Sequence, residues 1–301
     1  MIAAIFPGQG SQAVGMAQEF YRHSAAARQV LDQAEAALPG LLKLMWEGPT
    51  ETLQLTANQQ PALVAAGAAA FAAYREAGGA APSFAAGHSL GEFTAHVAAG
   101  SLELVAALRL VRQRGLYMQE AVPAGQGAMA AIMKAGREVV EQICAETEGV
   151  VEVANLNHPE QTVISGEAAA VLAASERLQQ AGARVVPLKV SAPFHCRLMA
   201  PAADRLAHDL AAVSFKPLAF PIVCNVTAEA LTDSGQAGAL LLKQVTAPVR
   251  WVESVGRLHA LGVRRFIEFG SGKVLSGLVS RIVPDAEVKA VVDMASLPEV
   301  L

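Results

Sequence analysis

Ser83-Phe-Ala-Ala-Gly-His-Ser-Leu-Gly-Glu92 is the stretch on which the fold turns. Ser83 to Ala86 reads as a short strand, Gly87-His-Ser-Leu-Gly91 as a sharp break, and Glu92 to Ala99 as a helix. Strand therefore passes into helix through a G-x-S-x-G turn. The two glycines relieve crowding in such a turn, so the hydroxyl of Ser89 is held out above the sheet. The following helix directs its free N–H groups and positive end at the same spot, where a tetrahedral oxyanion would develop, and Leu90 can supply a backbone N–H there. From these residues two readings stay open: a glycine turn with a capping serine, or an exposed nucleophile.

Outward from this turn, short apolar strands alternate with helices, the pattern of an α/β protein with a mainly parallel sheet. Met1 to Phe6 reads as a buried strand ending in a glycine turn, and Glu19 to Leu38, Pro61 to Glu76 and Leu102 to Glu120 read as helices. Pro123-Ala-Gly-Gln-Gly127 is a break, after which the rhythm changes. Strand Ala128 to Met133, helix Arg137 to Glu148, strands Val150 to Ala154 and Thr162 to Ser165, helix Glu167 to Ala181 and strand Arg184 to Leu188 give the order βαββαβ, a ferredoxin-like unit. A helix from Arg197 to Leu210, a strand near Pro221 to Asn225, helices near Leu240 and over Val252 to Leu261, a strand Arg264 to Phe269 and a last helix opened by Gly272-Lys-Val-Leu-Ser-Gly277 follow. The expected organisation is a discontinuous large domain, 1–124 with 193–301, carrying a small inserted subdomain, 125–192. The exit of the insert, Val190-Ser-Ala-Pro-Phe-His195, would then lie at the seam between them.

Composition narrows the function classes. The 301 residues are 53% hydrophobic and 17% charged with net charge -4, and no run of Lys or Arg provides the footprint of a nucleic-acid binder. The longest apolar stretch, Ala62 to Tyr74, falls short of the roughly 18 to 20 residues a membrane span needs. Met1 to Phe6 has neither a basic segment nor a cleavage region, so a cytoplasmic protein is expected. Cys144, Cys196 and Cys224 lack C-x-x-C spacing, which argues for buried free thiols and against a disulfide framework or a structural zinc site. Alanine, at 61 residues, is concentrated in the helical stretches its propensity favours.

A serine at its ordinary pKa needs a general base, usually histidine. His23, His208 and His259 lie in polar helical settings, His96 sits on the helix after the turn where packing is its expected role, and His88 should point away from the neighbouring hydroxyl. His195 lies at the seam, where ligand clefts are commonly found, and is the candidate base.

The chain resembles bacterial malonyl-CoA:acyl-carrier-protein transacylases and the acyltransferase domains of fatty-acid and polyketide synthases. The likeness covers essentially the whole sequence. It rests on Phe6-Pro-Gly-Gln-Gly-Ser-Gln12, Gln60-Pro-Ala-Leu63, Gly87-His-Ser-Leu-Gly-Glu92, Arg112-Gln-Arg-Gly115 with Met118-Gln-Glu120, Gly127-Ala-Met129, Asn155-x-Asn157, Pro193-Phe-His195, Pro248-Val-Arg-Trp251 and Glu268-x-Gly-x-Gly-Lys-Val-Leu275.

The resemblance implies an α/β hydrolase-like domain with a ferredoxin-like subdomain. It also implies Ser89 as nucleophile, His195 as general base and later acid, and Gln9 and Leu90 as backbone oxyanion donors. Arg114 is implied to hold the free carboxylate of a malonyl group, as a planar guanidinium does bidentately; from helix position alone it reads as a solvent-reaching arginine. Gln244 is implied to orient the histidine through its amide or carbonyl oxygen, where hydrolase triads place a carboxylate. Phe194 resembles the aromatic residue of acyltransferases that take unsubstituted malonyl; Ala192-Pro193 departs from one common polyketide form, and Gly270-Ser-Gly272 has serine where many relatives have proline.

The implied substrates are malonyl-CoA and an acyl carrier protein, with no metal, no cofactor beyond the coenzyme A thioester, no nucleic-acid or membrane partner, and a monomeric state. The carrier is acidic, so Arg112, Lys189 and Arg197 are candidate contacts. Fatty-acid synthesis is the expected setting, with polyketide and malonate-decarboxylase systems as alternatives.

Two other classes compete. A serine hydrolase is drawn from G-x-S-x-G alone, against which stand the absence of an H-G-G-G segment and of an identifiable triad carboxylate. A dinucleotide-binding module is drawn from Gly8-x-Gly10-x-x-Ala13, which lacks the second strand and acidic residue that function requires.

Overall fold

The computed structural model describes residues 1–190 and 192–301; Ser191, within the exit segment named above, lies outside the described residues. Ten strands are described: β1 Ile2–Phe6, β2 Phe84–Gly87, β3 Gly127–Met133, β4 Val151–His158, β5 Gln161–Glu167, β6 Arg184–Pro187, β7 Ile222–Val223, β8 Ala230–Leu231, β9 Arg265–Phe269 and β10 Glu287–Val291. They form two sheets, one of order β10-β9-β1-β2-β7-β8 and one of order β4-β5-β3-β6. The protein is α/β, as expected.

In the larger sheet β10, β9, β1, β2 and β7 run parallel, and only β8 is antiparallel. β1 is central, and its unbroken apolar run has a physical cause: both faces are covered. Ala3 and Ile5 face a core with Trp251, Val255, Leu258 and Phe266, while Ala4 and Phe6 face a second core with Leu63, Phe93 and Phe269. The alanines of the helix Thr56–Glu76 are buried almost all round, because that helix packs between Ala25–Ala37 and Leu104–Glu120. Small side chains let the backbones approach, so alanine here is a packing residue.

In the smaller sheet every pairing is antiparallel. Alternation along β3 divides its residues between two environments. Ala130 and Ile132 pack with Val140, Val171 and Leu178 of the helices Arg137–Glu146 and Ala168–Gln180, whereas Met129 and Ala131 join the main core with Phe194. The smaller sheet therefore rests on the main core through an apolar face. Edge strand β4 also pairs with the chain near Val249: Leu156 N–H donates to Val249 O at 2.9 Å and Val249 N–H to Ala154 O at 2.9 Å.

Several elements differ from expectation. Glu19 to Leu38 is two helices, Gln18–His23 and Ala25–Ala37, because Ser24 is extended and its hydroxyl caps the second by accepting from Ala27 N–H. That turn lets Phe20 and Leu31 both reach the core. Leu41–Glu47 and Thr50–Leu53 are additional short helices. β10 is an unforeseen edge strand, whose Glu287 and Lys289 interrupt the apolar pattern as edges commonly require.

Candidate active site

The turn after β2 is fixed by close approach. A Cβ on Gly87 would lie 1.9 Å from the Gly91 carbonyl carbon, and one on Gly91 only 2.0 Å from the Phe6 carbonyl oxygen, so neither position admits a side chain. Between them Ser89 takes the left-handed backbone region at φ 51°, a conformation that a surrounding structure must impose on a non-glycine residue. Asn225, just beyond β7, imposes it: its Oδ1 accepts Ser89 N–H at 2.7 Å and its Nδ2 donates to Gly87 O at 2.6 Å. The helix Gly91–Ala98 begins at once, with Glu92 N–H donating to Ser89 O at 3.0 Å.

Ser89 Oγ stands 2.7 Å from His195 Nε2. The second ring nitrogen, Nδ1, is 2.9 Å from the backbone carbonyl of Gln244, which accepts and cannot donate. The proton is therefore on Nδ1, and Nε2 carries the lone pair that faces the serine. Of the two ways Gln244 was expected to orient the histidine, the main-chain carbonyl does it. The side chain instead ties the surrounding groups together. Its Nε2 donates to Ser89 O at 3.1 Å, to Glu92 Oε2 at 2.7 Å and to Asn225 Oδ1 at 3.3 Å, and its Oε1 accepts from Arg114.

Arg114 is 1% exposed, so the solvent-reaching reading of it does not hold. Nη1 donates to Gln60 Oε1 at 2.8 Å, and Nη2 donates to Gln244 Oε1 at 3.1 Å and to Ser89 Oγ at 3.2 Å. Nε has no partner among the described residues. A cation is thus aimed at the same oxygen that the histidine would deprotonate, with donor capacity left for an incoming acceptor.

Burial dominates the electrostatics. It pushes His195 down to about 3, helped by the Arg114 charge, and so keeps the imidazole neutral at neutral pH. It pushes Arg114 down to about 10, with Glu92 opposing, so the guanidinium stays charged. The Glu92 carboxyl is raised to about 7, again chiefly by burial.

The glycine turn after β1 reaches the same place. A Cβ on Gly8 would be 2.5 Å from His88 O, and beside it Gln9 is anchored by its side-chain amide, which donates to Gln59 Oε1 at 2.7 Å. Among the described residues no protein acceptor takes the backbone N–H of Gln9 or of Leu90, leaving two donors beside the serine. Phe194 is buried immediately before His195, itself at φ 59°.

Ser89, His195, Gln244, Gln9, Leu90, Arg114 and Phe194 are thereby brought into one neighbourhood. The other histidines of the turn and its helix are engaged elsewhere: His88 Nε2 meets Asn157 Oδ1 at 2.8 Å, and His96 Nδ1 meets Ser101 Oγ at 2.7 Å. All three cysteines are buried free thiols. Of the cations considered for carrier contact, Arg112 is tied to Ala57 O and Asn58, Arg197 pairs with Glu152, and Lys189 is exposed.

Gln60, Glu92 and Asn225 are members of the site to which the sequence alone assigned no role. The first two fall inside the segments that carry the family likeness, which is the signal that could have found them. Asn225 has no local signal at all; it follows a two-residue strand.

An acyl transferase domain model matches residues 4–293. The chain is 46% identical to the malonyl CoA-acyl carrier protein transacylase of Bacillus subtilis over 93% of this chain and 90% of the relative, and 43% identical to that of Salmonella typhimurium over 99% and 98%. Among solved structures it is similar to an acyl carrier protein S-malonyltransferase from Vibrio cholerae, with TM-score 0.97, 44% identity and coverage of 100% and 99%. It is also similar to a malonyl-transacylase in complex with its type II polyketide acyl carrier protein, with TM-score 0.97, 42% identity and coverage of 100% and 98%. By match length and identity together, the chain belongs to the acyl transferase family.

Proposed function

We propose that this chain transfers a malonyl group from coenzyme A to the phosphopantetheine thiol of an acyl carrier protein through a malonyl ester on Ser89, serving fatty-acid synthesis. One observation carries the choice of malonyl: the buried Arg114 guanidinium lies 3.2 Å from Ser89 Oγ. A three-carbon diacid esterified at that oxygen folds its far carboxylate onto the cation, whereas an acetyl group leaves the cation with its protein partners alone.

In the first half-reaction His195 Nε2 takes the Ser89 proton as Oγ attacks the thioester carbonyl. The oxyanion meets the N–H groups of Gln9 and Leu90. Collapse breaks the C–S bond, and the imidazolium returns its proton to the departing coenzyme A thiolate. In the second half the carrier thiol loses its proton to the same nitrogen, attacks the ester, and the proton ends on Ser89 Oγ. A carbonyl behind Nδ1 fixes the tautomer but stabilises imidazolium less than a carboxylate would. Binding of the substrate carboxylate offsets this, because it cancels the Arg114 charge that helps hold His195 down.

The finer architecture follows the same reading: a hydrolase-like unit of 1–124 and 193–301 with a ferredoxin-like insert at 125–192, to which the β4-β5-β3-β6 order and two covering helices lend support. Phe194 beside the base crowds a 2-methyl branch, favouring unsubstituted malonyl. A cytoplasmic monomer that needs no cofactor beyond the substrate thioester completes the proposal; no described helix is long and apolar enough to cross a membrane.

Initial-rate kinetics test the reading. With malonyl-CoA varied at several fixed carrier concentrations, double-reciprocal plots should be parallel, the pattern of a ping-pong cycle. Intersecting lines would mean direct transfer, and fast release of malonate without carrier would mean a hydrolase.

A further inference from the structure

Glu92 lies in the first turn of its helix, where a carboxylate ordinarily sits in solvent beside the helix's positive end. Here it is wholly buried. Its Oε2 accepts Asn225 N–H at 3.0 Å and the Gln244 amide at 2.7 Å, while Oε1 has no partner among the described residues. The same Gln244 side chain accepts from Arg114 at its other end, so a single amide separates a buried carboxylate from a buried guanidinium.

Around Glu92 the charges are few. Arg114 comes from the helix Leu104–Glu120, and Cys224 with the Asn225 N–H from the chain just after β7. His96, one turn along the same helix, is held by Ser101 and kept neutral by burial, which pushes it to about 4; His195 is neutral too. Without substrate the region holds one cation and one anion. A substrate carboxylate on Arg114 adds a second anion among buried groups, where an uncompensated charge is costly.

Resting on the malonyl-transfer reading, we propose that Glu92 is a positioning residue that balances the charge of the clamp. It is ionised as counter-charge to Arg114 in the free enzyme, takes one proton from solvent when a substrate carboxylate occupies the guanidinium, and returns it when the acyl group leaves. Oε1 is the oxygen that accepts the proton, since neither hydrogen bond to Oε2 is disturbed. Burial, opposed by Asn225, Gln244, Cys224 and Arg114, raises the carboxyl to about 7, which sets this exchange near neutral pH. Carboxylate-bearing and plain acyl groups then differ in their proton balance as well as in their contacts.

Calorimetric titration of Ser89→Ala with malonyl-CoA and with acetyl-CoA, in two pH 7.5 buffers of different ionisation enthalpy, measures this directly. Malonyl-CoA should take up roughly half a proton more than acetyl-CoA, and the excess should vanish in the Ser89→Ala/Glu92→Gln variant while malonyl-CoA still binds. Equal uptake for the two thioesters, or an excess that survives Glu92→Gln, overturns the proposal. Should the double variant not fold, the comparison of thioesters on Ser89→Ala decides alone. Failure of malonyl-CoA to bind Ser89→Ala would overturn the malonyl-transfer reading, and this proposal with it, whereas binding without excess uptake leaves that reading intact.

Discussion

Ser89 and His195 meet at 2.7 Å, and both occupy left-handed backbone, yet the chain holds the two by different means. On the serine side the backbone itself is confined. β1, β2 and the helix Gly91–Ala98 converge so tightly that Gly87 and Gly91 touch main-chain atoms, and Asn225 clamps what remains. The histidine side is an assembly of distant segments. Gly127 of the small sheet backs onto Pro193, the Cys196 thiol donates to Pro193 O at 3.1 Å, and the Gln244 carbonyl orients the ring. A nucleophile built on rigid backbone and a base built on a seam fail differently: the first through loss of the fold, the second through loss of rate.

The sharpest break is Gly91→Ala. Its new Cβ would meet a main-chain oxygen of the central strand at 2.0 Å, which no side-chain rotation relieves. A loss of several kcal/mol is expected, read as a thermal midpoint lower by about 10 °C or more, or as insoluble protein. A midpoint within about 2 °C of wild type would mean that the serine side is not confined as described. His195→Asn should behave oppositely, since asparagine tolerates the left-handed region. The midpoint should move little while the acylation rate falls roughly 100- to 10,000-fold; a small rate loss would remove the histidine from the chemistry.

Arg114→Ala is the subtlest, because it changes which substrate is preferred. KM for malonyl-CoA should rise about 10- to 100-fold, with acetyl transfer much less affected, in paired steady-state assays. Equal losses for both thioesters would show that Arg114 supports the serine side only.

The same contrast explains what could be read in advance. The serine side was legible because its constraint is local: strand, two glycines and helix follow one another between Ser83 and Ala99. The strands and helices of the smaller sheet were legible because their periods alternate cleanly from Ala128 to Leu188. Family likeness was needed for Arg114, whose burial depends on helix Thr56–Glu76 and Gln244 closing over it. Asn225 and Glu92 stayed hidden as functional residues for the same reason, since a polar residue near a strand end or in a first helical turn is ordinarily a solvated one. The break at Ser24 is not legible in the sequence because either one long helix or two short ones satisfies the apolar spacing of 19–38, and only the tertiary need to bury both Phe20 and Leu31 selects two.

Whether Ser89 carries the acyl group is decided by intact-mass spectrometry after mixing the protein with malonyl-CoA. The wild-type chain should gain one malonyl adduct, discharged by holo acyl carrier protein and absent from Ser89→Ala. A folded wild-type protein that acquires no adduct, or one whose adduct persists in Ser89→Ala, would contradict the assignment of Ser89 as nucleophile.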